Sequence, residues 1–240
     1  MRFYVVQGPV ALALTALCAT AAFLAALVDR SGRTTRRIGG WWGRALLRLL
    51  QVAVEVSGGE NAPAGPAVYA ANHASTLDIP LVFGYLPADF RIVFKRSVGF
   101  IPVLGWAIRL GGHVPIDRSN PFRARRSLER AARRIGSGTS VVLFPEGTRS
   151  ATGRVGRFKR GSFSLAIEAG VPVVPVSLVG VKAVVPRGIP SVRPGLVRVR
   201  LHPPLPVAGR AVDAAERLAA EVRAVVATGC GDAPIAGAHA

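Results

Sequence analysis

The sequence contains little cysteine, and this scarcity argues against two kinds of site. Its 240 residues include two cysteines, Cys18 in an apolar run and Cys230 in a Gly/Ala-rich tail. Two cysteines so far apart cannot form a CxxC metal site and are poor candidates for a disulfide framework. We therefore expect a reducing compartment.

Acidic residues and lysines are also scarce, whereas arginine is abundant. The chain has 13 Asp and Glu against 31 Lys and Arg, a formal charge of +18, and its lysines are Lys95, Lys159 and Lys182. This surplus predicts an anionic partner, either nucleic acid, an anionic membrane surface or a phosphorylated substrate. Aromatic content is only 7%, and the sequence has no helix-turn-helix signature, RNP-type aromatic strand or zinc spacing. Nucleic acid is therefore the weaker interpretation.

The N-terminal region favours a membrane. Residues 10–28 form an apolar run without a charge, close to the roughly 20 residues that cross a bilayer. Four arginines follow at once: Arg30, Arg33, Arg36 and Arg37. Such clusters stay on the cytoplasmic side, so we expect a membrane-associated protein on the cytoplasmic face of the cell membrane. The alternative is a cleaved signal peptide, although only Arg2 precedes the run. The run either spans the bilayer or lies in one leaflet.

Residues 36–54 predict a second, amphipathic helix. Trp41 and Trp42 lie at one end, and Arg44 and Arg48 are four residues apart. This pattern suits a helix in the headgroup region, and an ordinary core helix is the alternative. We divide the chain into membrane-associating helices over residues 1–57, an α/β domain over residues 58–228 and a flexible tail over residues 229–240.

Between the first and last segments, short β-rich runs alternate with helical stretches. The predicted strands are residues 67–71, 91–94, 114–116, 141–144, 173–179 and 197–201. The predicted helices are residues 77–85, 103–110, 121–135, 163–168 and 213–226. This alternation predicts an α/β fold with a mostly parallel sheet flanked by helices.

The block NHASTLD at residues 72–78 carries a candidate base. Ser75 followed three residues later by Asp78 is a helix-start pattern, which leaves His73 just outside the helix with Asp78 pointing back toward it. A carboxylate on one ring nitrogen raises the basicity of the other, so His73 can take a proton from a hydroxyl. The alternative is that Asp78 only caps the helix and His73 is a loop histidine.

The block FPEGTRS at residues 144–150 carries a candidate anion clamp. It follows a buried strand and places Glu146, Gly147, Thr148 and Arg149 at the strand's carboxyl end, where ligands of α/β sheets bind. The Arg149 guanidinium can hold a phosphate, and Gly147 lets the backbone approach closely. A plain strand-to-loop turn is the alternative.

Two further blocks are less specific. GGHVPIDR at residues 111–118 ends a strand with Asp117 and Arg118, and VPVVPV at residues 171–176 places Pro172 and Pro175 in a β-rich run. Prolines there predict an edge strand or an exposed wall. His113 and Asp117 together with the NHASTLD block raise the idea of a metal site, but the cation of Arg118 disfavours a divalent ion.

Taken in order, the four blocks resemble the motifs of the glycerolipid acyltransferase family, which includes the 1-acylglycerol-3-phosphate acyltransferases. NHASTLD matches the family's NHxxxxD motif, and FPEGTRS matches the third motif almost letter for letter. The resemblance covers residues 67–177, and Lys159 lies where the family has similar residues. The second motif departs from the family pattern at His113 and Pro115, which leaves the identity of the acceptor open.

The resemblance implies transfer of an acyl chain from acyl-CoA or acyl carrier protein to the free hydroxyl of a lysophospholipid, with 1-acylglycerol-3-phosphate as the first choice of acceptor. His73 would be the general base and Asp78 its orienting partner. The resemblance implies Arg118 and Arg149 at the acceptor's phosphate, Glu146 and Gly147 as the rest of the acceptor site, and Pro175 on the acyl-donor side. Two further substrate-binding residues are implied, Thr148 and Lys159. No metal or cofactor is implied.

The sequence has no GxSxG elbow, which favours direct transfer of the acyl chain over an acyl-enzyme intermediate. The acceptor, the class of the protein and the partner of one row of arginines stay open. Another lyso-lipid, such as a lyso-ornithine lipid, is an alternative acceptor, and a non-catalytic basic membrane-binding protein is the alternative of another class. A row of arginines at helical spacing faces either anionic headgroups, an acidic carrier protein or solvent: Arg126, Arg130, Arg133 and Arg134.

Overall fold

The computed structural model describes residues 6–29, 31–117, 120–136, 138–185 and 191–231. The strands are β1 (Val52–Ser57), β2 (Val68–Ala71), β3 (Phe90–Lys95), β4 (Val114–Ile116), β5 (Ser140–Leu143), β6 (Val173–Val179) and β7 (Gly195–Leu201). The helices are α1 (Gly8–Val28), α2 (Arg33–Leu49), α3 (Asp78–Tyr85), α4 (Leu104–Leu110), α5 (Pro121–Gly136), α6 (Gly161–Ala169), α7 (Val181–Val184) and α8 (Ala215–Cys230). Of the residues singled out above, Arg2, Arg30, Arg118 and the side chain of Arg134 lie outside the described part, as does most of the predicted tail.

The strands form one sheet in the order β1-β7-β6-β2-β5-β3-β4. Every neighbouring pair is parallel except β6 and β7, which are antiparallel. The predicted α/β fold with a mostly parallel sheet flanked by helices is therefore confirmed. Parallel strands need helices on both faces, which is why the central strands β2, β5 and β6 are almost wholly buried.

The core lies on both sides of the sheet, and β2 shows how the sequence divides it. Tyr69 and Ala71 join the cluster under α2 and α3, whereas Val68 and Ala70 join the cluster under α5, α6 and α8. Successive strand residues point to opposite faces, so each of these four contributes to one cluster only.

The carboxyl ends of β2 and β5 define the position of the candidate site. The two strands are parallel neighbours, and Ala70 pairs with Leu143. His73 follows the end of β2 and Glu146 follows the end of β5, so the two motifs emerge side by side at the same sheet edge.

The predicted helix over residues 36–54 is wrong at its C-terminal end. Helix α2 stops at Leu49, Gln51 adopts a left-handed conformation with φ 58°, and Val52 opens strand β1. The three β-branched residues Val52, Val54 and Val56 pair in parallel with β7, and this sheet pairing overrides the helical pattern. The last six residues of the segment assigned to membrane association therefore form a strand; the division at residue 57 stays a prediction.

The prediction of an edge strand at VPVVPV is wrong as well. Strand β6 lies inside the sheet, between β7 and β2. The Val173 N–H donates to the Leu205 carbonyl. Residues two apart in a strand direct their backbone nitrogens to the same neighbouring segment, so the nitrogen of Pro175 also faces this part of the chain. Residues 202–204 of that segment are outside any strand, and the missing N–H of Pro175 therefore removes no hydrogen bond from the sheet.

The N-terminal helices form an antiparallel pair packed on the body. The Trp42 indole N–H donates to the Thr15 hydroxyl at 3.1 Å, and Gln7 Nε2 donates to the Leu49 carbonyl at 2.9 Å. By length and composition α1 could cross a membrane, with 21 residues and a mean hydropathy of 2.3 over its most apolar window. Helix α1 is thus apolar enough to cross a membrane, and both helices also contact the α/β domain.

Arg36, one of the arginines that follow the apolar run, contacts the end of α3. Its guanidinium donates to the carbonyls of Phe83 and Leu86 at 2.9 and 3.1 Å and lies 4.3 Å from the centre of the Phe90 ring. Burial lowers the pKa of Arg36 to about 10. Arg36 therefore fastens α2 to the end of α3.

Candidate active site

His73 and Asp78 are in contact, as the helix-start pattern predicted. His73 Nδ1 lies 2.7 Å from Asp78 Oδ2, and Asp78 is fully buried while the imidazole is 15% exposed. Because an ionised carboxylate only accepts, Nδ1 carries the hydrogen and Nε2 presents its lone pair. Nε2 has no hydrogen-bond partner among the described residues, so it is the nitrogen available to a substrate hydroxyl.

The carboxylate of Asp78 also organises the turn that carries the histidine. Its Oδ2 accepts from the backbone N–H groups of Ala74 and Ser75 at 2.7 and 2.8 Å. The Ser75 hydroxyl accepts from Leu77 N–H at 3.3 Å, whereas Leu77, not Ser75, is the N-cap residue of α3. The predicted reach of Asp78 back to the turn is present, and the predicted side-chain cap by Ser75 is not.

Two residues that the sequence reasoning passed over hold His73 in place. The Asn72 amide makes two bonds with the backbone of Leu178, donating at 3.1 Å and accepting at 2.7 Å. The Phe144 ring stacks on the imidazole with centroids 4.3 Å apart. The asparagine of the NHASTLD block was the available signal for the first contact; the stacking depends on the parallel pairing of β2 and β5.

The FPEGTRS block binds the backbone of His73 on both sides. His73 N–H donates to Glu146 Oε1 at 2.8 Å, and Ser150 N–H donates to the His73 carbonyl at 2.7 Å. Glu146 Oε2 accepts from Gly156 N–H at 3.1 Å. Burial raises the pKa of Glu146, partly offset by these backbone donors. Both carboxylate oxygens of Glu146 therefore bind backbone within the protein.

Gly147 and Lys159 form the turn next to this contact. Gly147 has φ 73°, and a Cβ there would lie 2.9 Å from Lys159 Nζ. The left-handed conformation favours glycine at this position, and the absence of a Cβ leaves room for the lysine side chain. Lys159 N–H in turn donates to the Pro145 carbonyl at 3.0 Å, which places this cation beside the strand end.

A basic groove of about 580 Å³ opens at the same turn. Its cations are Arg149, Arg154, Arg157 and Lys159, and Thr148 also lines it. Thr148 and Arg149 are exposed, and Arg157 pairs with Glu216 at 2.6 Å. A groove with this excess of positive charge suits a phosphate.

A second cavity, of about 690 Å³, lies between α5 and α6. Phe144, Pro145, Gly147 and Lys159 line it near the histidine, and its wall includes several aliphatic side chains: Val93, Ile116, Leu128, Leu143 and Leu165. Lys159 lines both cavities, and Phe144, whose ring stacks on His73, lines the second one.

The described residues of the GGHVPIDR block make contacts within the fold. His113 is buried, and its Nδ1 accepts from Ile92 N–H at 2.9 Å, which explains a polar residue at this position. Asp117 lies 3.6 Å from Arg96 and 3.3 Å from Arg123. Among the described residues, no group of three His, Cys, Asp or Glu is arranged to hold a metal ion.

Pro175 is buried within β6, opposite Ala70 of β2. Ala70 precedes His73 by three residues, so Pro175 lies in the sheet beside the strand that leads to His73. The described contacts include none between Pro175 and His73.

The acyltransferase family model matches residues 53–179, just over half of the chain. The chain belongs to the acyltransferase family. The matched range contains His73, Asp78 and Glu146, and the predicted resemblance is confirmed.

Other members of the acyltransferase family are similar over the same region. The 1-acyl-sn-glycerol-3-phosphate acyltransferase BAT2 of Brassica napus chloroplasts is 40% identical over 63% of this chain and 44% of its own length. The 1-acyl-sn-glycerol-3-phosphate acyltransferase of Pseudomonas aeruginosa is 36% identical over 57% of this chain and 54% of its own length. The chain thus spans about half the length of the curated relatives it matches.

The acyltransferase fold is also found in a solved relative. The crystal structure of the 1-acyl-sn-glycerophosphate (LPA) acyltransferase PlsC from Thermotoga maritima superposes with a TM-score of 0.75 and 30% sequence identity. The alignment covers 94% of this chain and 96% of that one. The similarity therefore includes the N-terminal helices as well as the sheet.

Proposed function

We propose that this chain transfers a fatty acyl group from a thioester to the free hydroxyl of 1-acyl-sn-glycerol-3-phosphate and so forms phosphatidic acid. The observation that carries the proposal is the 2.7 Å contact between His73 Nδ1 and Asp78, which leaves Nε2 without a hydrogen-bond partner among the described residues. Glu146 and Ser150, which bond the backbone of His73, also line the basic groove. The names of the curated relatives and of the Thermotoga maritima structure support the choice of acceptor.

In the proposed reaction His73 Nε2 takes the proton as the acceptor oxygen attacks the thioester carbonyl carbon. The new C–O bond forms, the C–S bond breaks, and the thiol leaves with the proton that His73 returns. Asp78 keeps the hydrogen on Nδ1 and stabilises the imidazolium. Ser75 is buried and the chain has no GxSxG elbow, which supports direct transfer without an acyl-enzyme.

The basic groove is the proposed site of the acceptor's phosphate. Arg149 and Lys159 supply the charge, and Gly147 and Thr148 line the same turn. Arg118 remains a candidate from its motif and lies outside the described residues. Glu146 uses both oxygens on backbone N–H groups, so we assign it to positioning His73 and not to contact with the acceptor.

The cavity of about 690 Å³ is the proposed site for the acyl chain, because aliphatic side chains contribute much of its wall. Pro175 remains a proposed part of the acyl-donor side, because it lies in the sheet beside the strand that leads to His73. The donor is acyl-CoA or acyl carrier protein, and the reaction needs no metal or bound cofactor.

We further propose that α1 holds the protein in the cytoplasmic leaflet without crossing the bilayer. Gln7 contacts α2, Ala11 and Leu14 pack on the core, and the Phe23 ring contacts the Trp106 ring of α4 at a tilted angle. A helix in contact with the body along its whole length cannot point away from it through a bilayer. Its outer face exposes Leu12, Leu17, Leu24 and Leu27, which suits burial in one leaflet.

An acceptor panel tests this function. The purified protein in mixed micelles is assayed with lysophosphatidic acid, lysophosphatidylcholine, lysophosphatidylethanolamine and lyso-ornithine lipid, each with acyl-CoA and with acyl carrier protein. We expect the highest kcat/KM with lysophosphatidic acid and loss of transfer by about 10²-fold or more in His73→Ala. Faster turnover of another acceptor would replace lysophosphatidic acid, and undiminished transfer by His73→Ala would remove the proposed base.

A further inference from the structure

Residues 96–110 expose a group of apolar side chains that no catalytic role explains. Phe100 is 63% exposed, Trp106 48%, Ile101 46% and Leu110 46%. We call these four residues the α4 surface. They belong to none of the four motifs, and α4 itself supplies no side chain to the groove or the cavity.

The segment that carries the α4 surface is tightly folded. A Cβ on Gly105 would lie 2.5 Å from the Gly99 carbonyl oxygen, and a Cβ on Gly99 would lie 2.5 Å from Arg109 Nε. The 3₁₀ turn over Arg96–Phe100 therefore packs directly against α4. Because this packing fills the inner side of the segment, Phe100 and Ile101 are displayed outward and have no room to fold into the core.

The α4 surface continues the apolar outer face of α1. Helix α4 packs on α1, and the rings of Trp106 and Phe23 have centroids 5.9 Å apart. The exposed Leu24 and Leu27 lie one turn or less from Phe23. Two segments distant in sequence thus form one apolar face.

Basic side chains surround the α4 surface. The guanidinium groups of Arg109 and Arg96 lie 4.9 and 6.0 Å from the centre of the Phe100 ring, and Lys95 is exposed beside them. Residues 96–116 contain no Asp or Glu, although Arg96 also lies 3.6 Å from Asp117. Apolar side chains rimmed by arginine match an anionic lipid interface, where rings enter the acyl boundary and cations stay among the headgroups.

We propose that the α4 surface is a second membrane contact, which inserts into an anionic lipid layer beside α1 and fixes the tilt of the active site against it. The inference rests on the membrane association proposed above and not on acyl transfer. A second copy of this chain is the less favourable occupant, because face-to-face contact would bring Arg96 and Arg109 of both copies together.

The test places an environment-sensitive fluorophore at single cysteines. In a background with Cys18→Ala and Cys230→Ser, Phe100→Cys reports on the α4 surface. The matched control is Val56→Cys, which is 45% exposed on β1 at the opposite edge of the sheet from β4. Each labelled protein is mixed with vesicles of phosphatidylcholine and phosphatidylglycerol, or of phosphatidylcholine alone, with and without brominated lipid.

We expect a blue shift and bromolipid quenching at position 100 with anionic vesicles, and neither at position 56. Phe100→Ser combined with Ile101→Ser is expected to weaken vesicle partition by about tenfold while thermal unfolding and turnover in micelles stay unchanged. A label at position 100 that stays in water on bound vesicles overturns the proposal. A lipid-free blue shift that grows with protein concentration also overturns it, in favour of self-association.

These readouts separate the two proposals. If the protein transfers no acyl group to any acceptor, the proposed function fails while the fluorescence result still decides the α4 surface. Equal insertion into phosphatidylcholine alone would overturn the assigned role of Arg96 and Arg109.

Discussion

The backbone N–H of His73 donates a 2.8 Å hydrogen bond to Glu146 Oε1. The other oxygen of this carboxylate accepts from Gly156 N–H at 3.1 Å, and Ser150 N–H closes the turn on the His73 carbonyl. The third motif therefore holds the backbone of the histidine that we propose as the base. Glu146, which its motif predicted to contact the acceptor, binds the backbone of that histidine in this structure.

Glu146→Gln tests this positioning role. Glutamine keeps one carbonyl oxygen but brings an amide N–H₂ against the second backbone donor, so the turn must shift. We expect kcat to fall by about tenfold or more, since small displacements of a catalytic group are costly, with little change in the acceptor KM. Steady-state kinetics on the purified variant measure both. A raised KM at unchanged kcat would return Glu146 to the acceptor site.

Asp78→Asn tests what the charge of the buried carboxylate contributes to the His73–Asp78 pair. The asparagine oxygen can take the place of Oδ2 and accept from His73, Ala74 and Ser75, while its nitrogen takes the place of Oδ1, which has no donor near it. The fold should therefore persist while the charge that supports the imidazolium is lost. We expect kcat/KM to fall by about 10²- to 10⁴-fold. Unchanged turnover with an unchanged circular dichroism spectrum would contradict the proposed proton transfer.

Gly43→Ala tests the coupling between the N-terminal helices and the site. A Cβ on Gly43 of α2 would lie 2.4 Å from the Pro80 carbonyl oxygen and 2.9 Å from Gly84 N, both in α3. Helix α3 begins at Asp78, so forcing α2 outward displaces the carboxylate. We expect the free energy of unfolding to drop by about 1–3 kcal/mol and kcat to fall with it. Gly59→Ala, with nothing within 4 Å of its Cβ, is the control and should change neither.

The contact between His202 and Ser177 predicts a pH dependence of stability. His202 Nε2 lies 2.8 Å from the Ser177 hydroxyl, which donates to the Val226 carbonyl of α8 at 3.0 Å. Burial, and then the charge of Arg200, lowers the pKa of His202 below 6.5. The unfolded chain thus binds a proton first, so the free energy of unfolding decreases as pH falls from about 6.5 through the folded pKa.

Denaturant unfolding in detergent at pH about 7.5 and about 5.5 measures this loss. His202→Gln keeps a hydrogen-bond donor without the titration, so its free energy of unfolding should depend less on pH over this range. An identical slope in both proteins would show that other groups cause the acid loss.

Several elements could be predicted from the sequence because their signals are local. The alternation of β-branched runs and helical stretches is enough for an α/β fold, and the position of Asp78 at the start of a helix five residues after His73 is enough to bring a carboxylate to the imidazole. Strand β1 and the interior place of β6 could not be read in this way. Both depend on which strand lies next to which, and Pro175 is tolerated inside the sheet only because residues 202–204 leave the ladder.

The sequence by itself determined the order of the four motifs, the excess of arginine and the apolar N-terminal run, and with them the family. These are properties of neighbouring residues, which short-range chemistry fixes. Only the tertiary structure decided that Glu146 binds the backbone of His73, that Arg36 bonds the end of α3, and that α4 extends the apolar face of α1. Each of these joins segments far apart in the chain, and their meeting depends on strand order and helix packing, which no local pattern encodes.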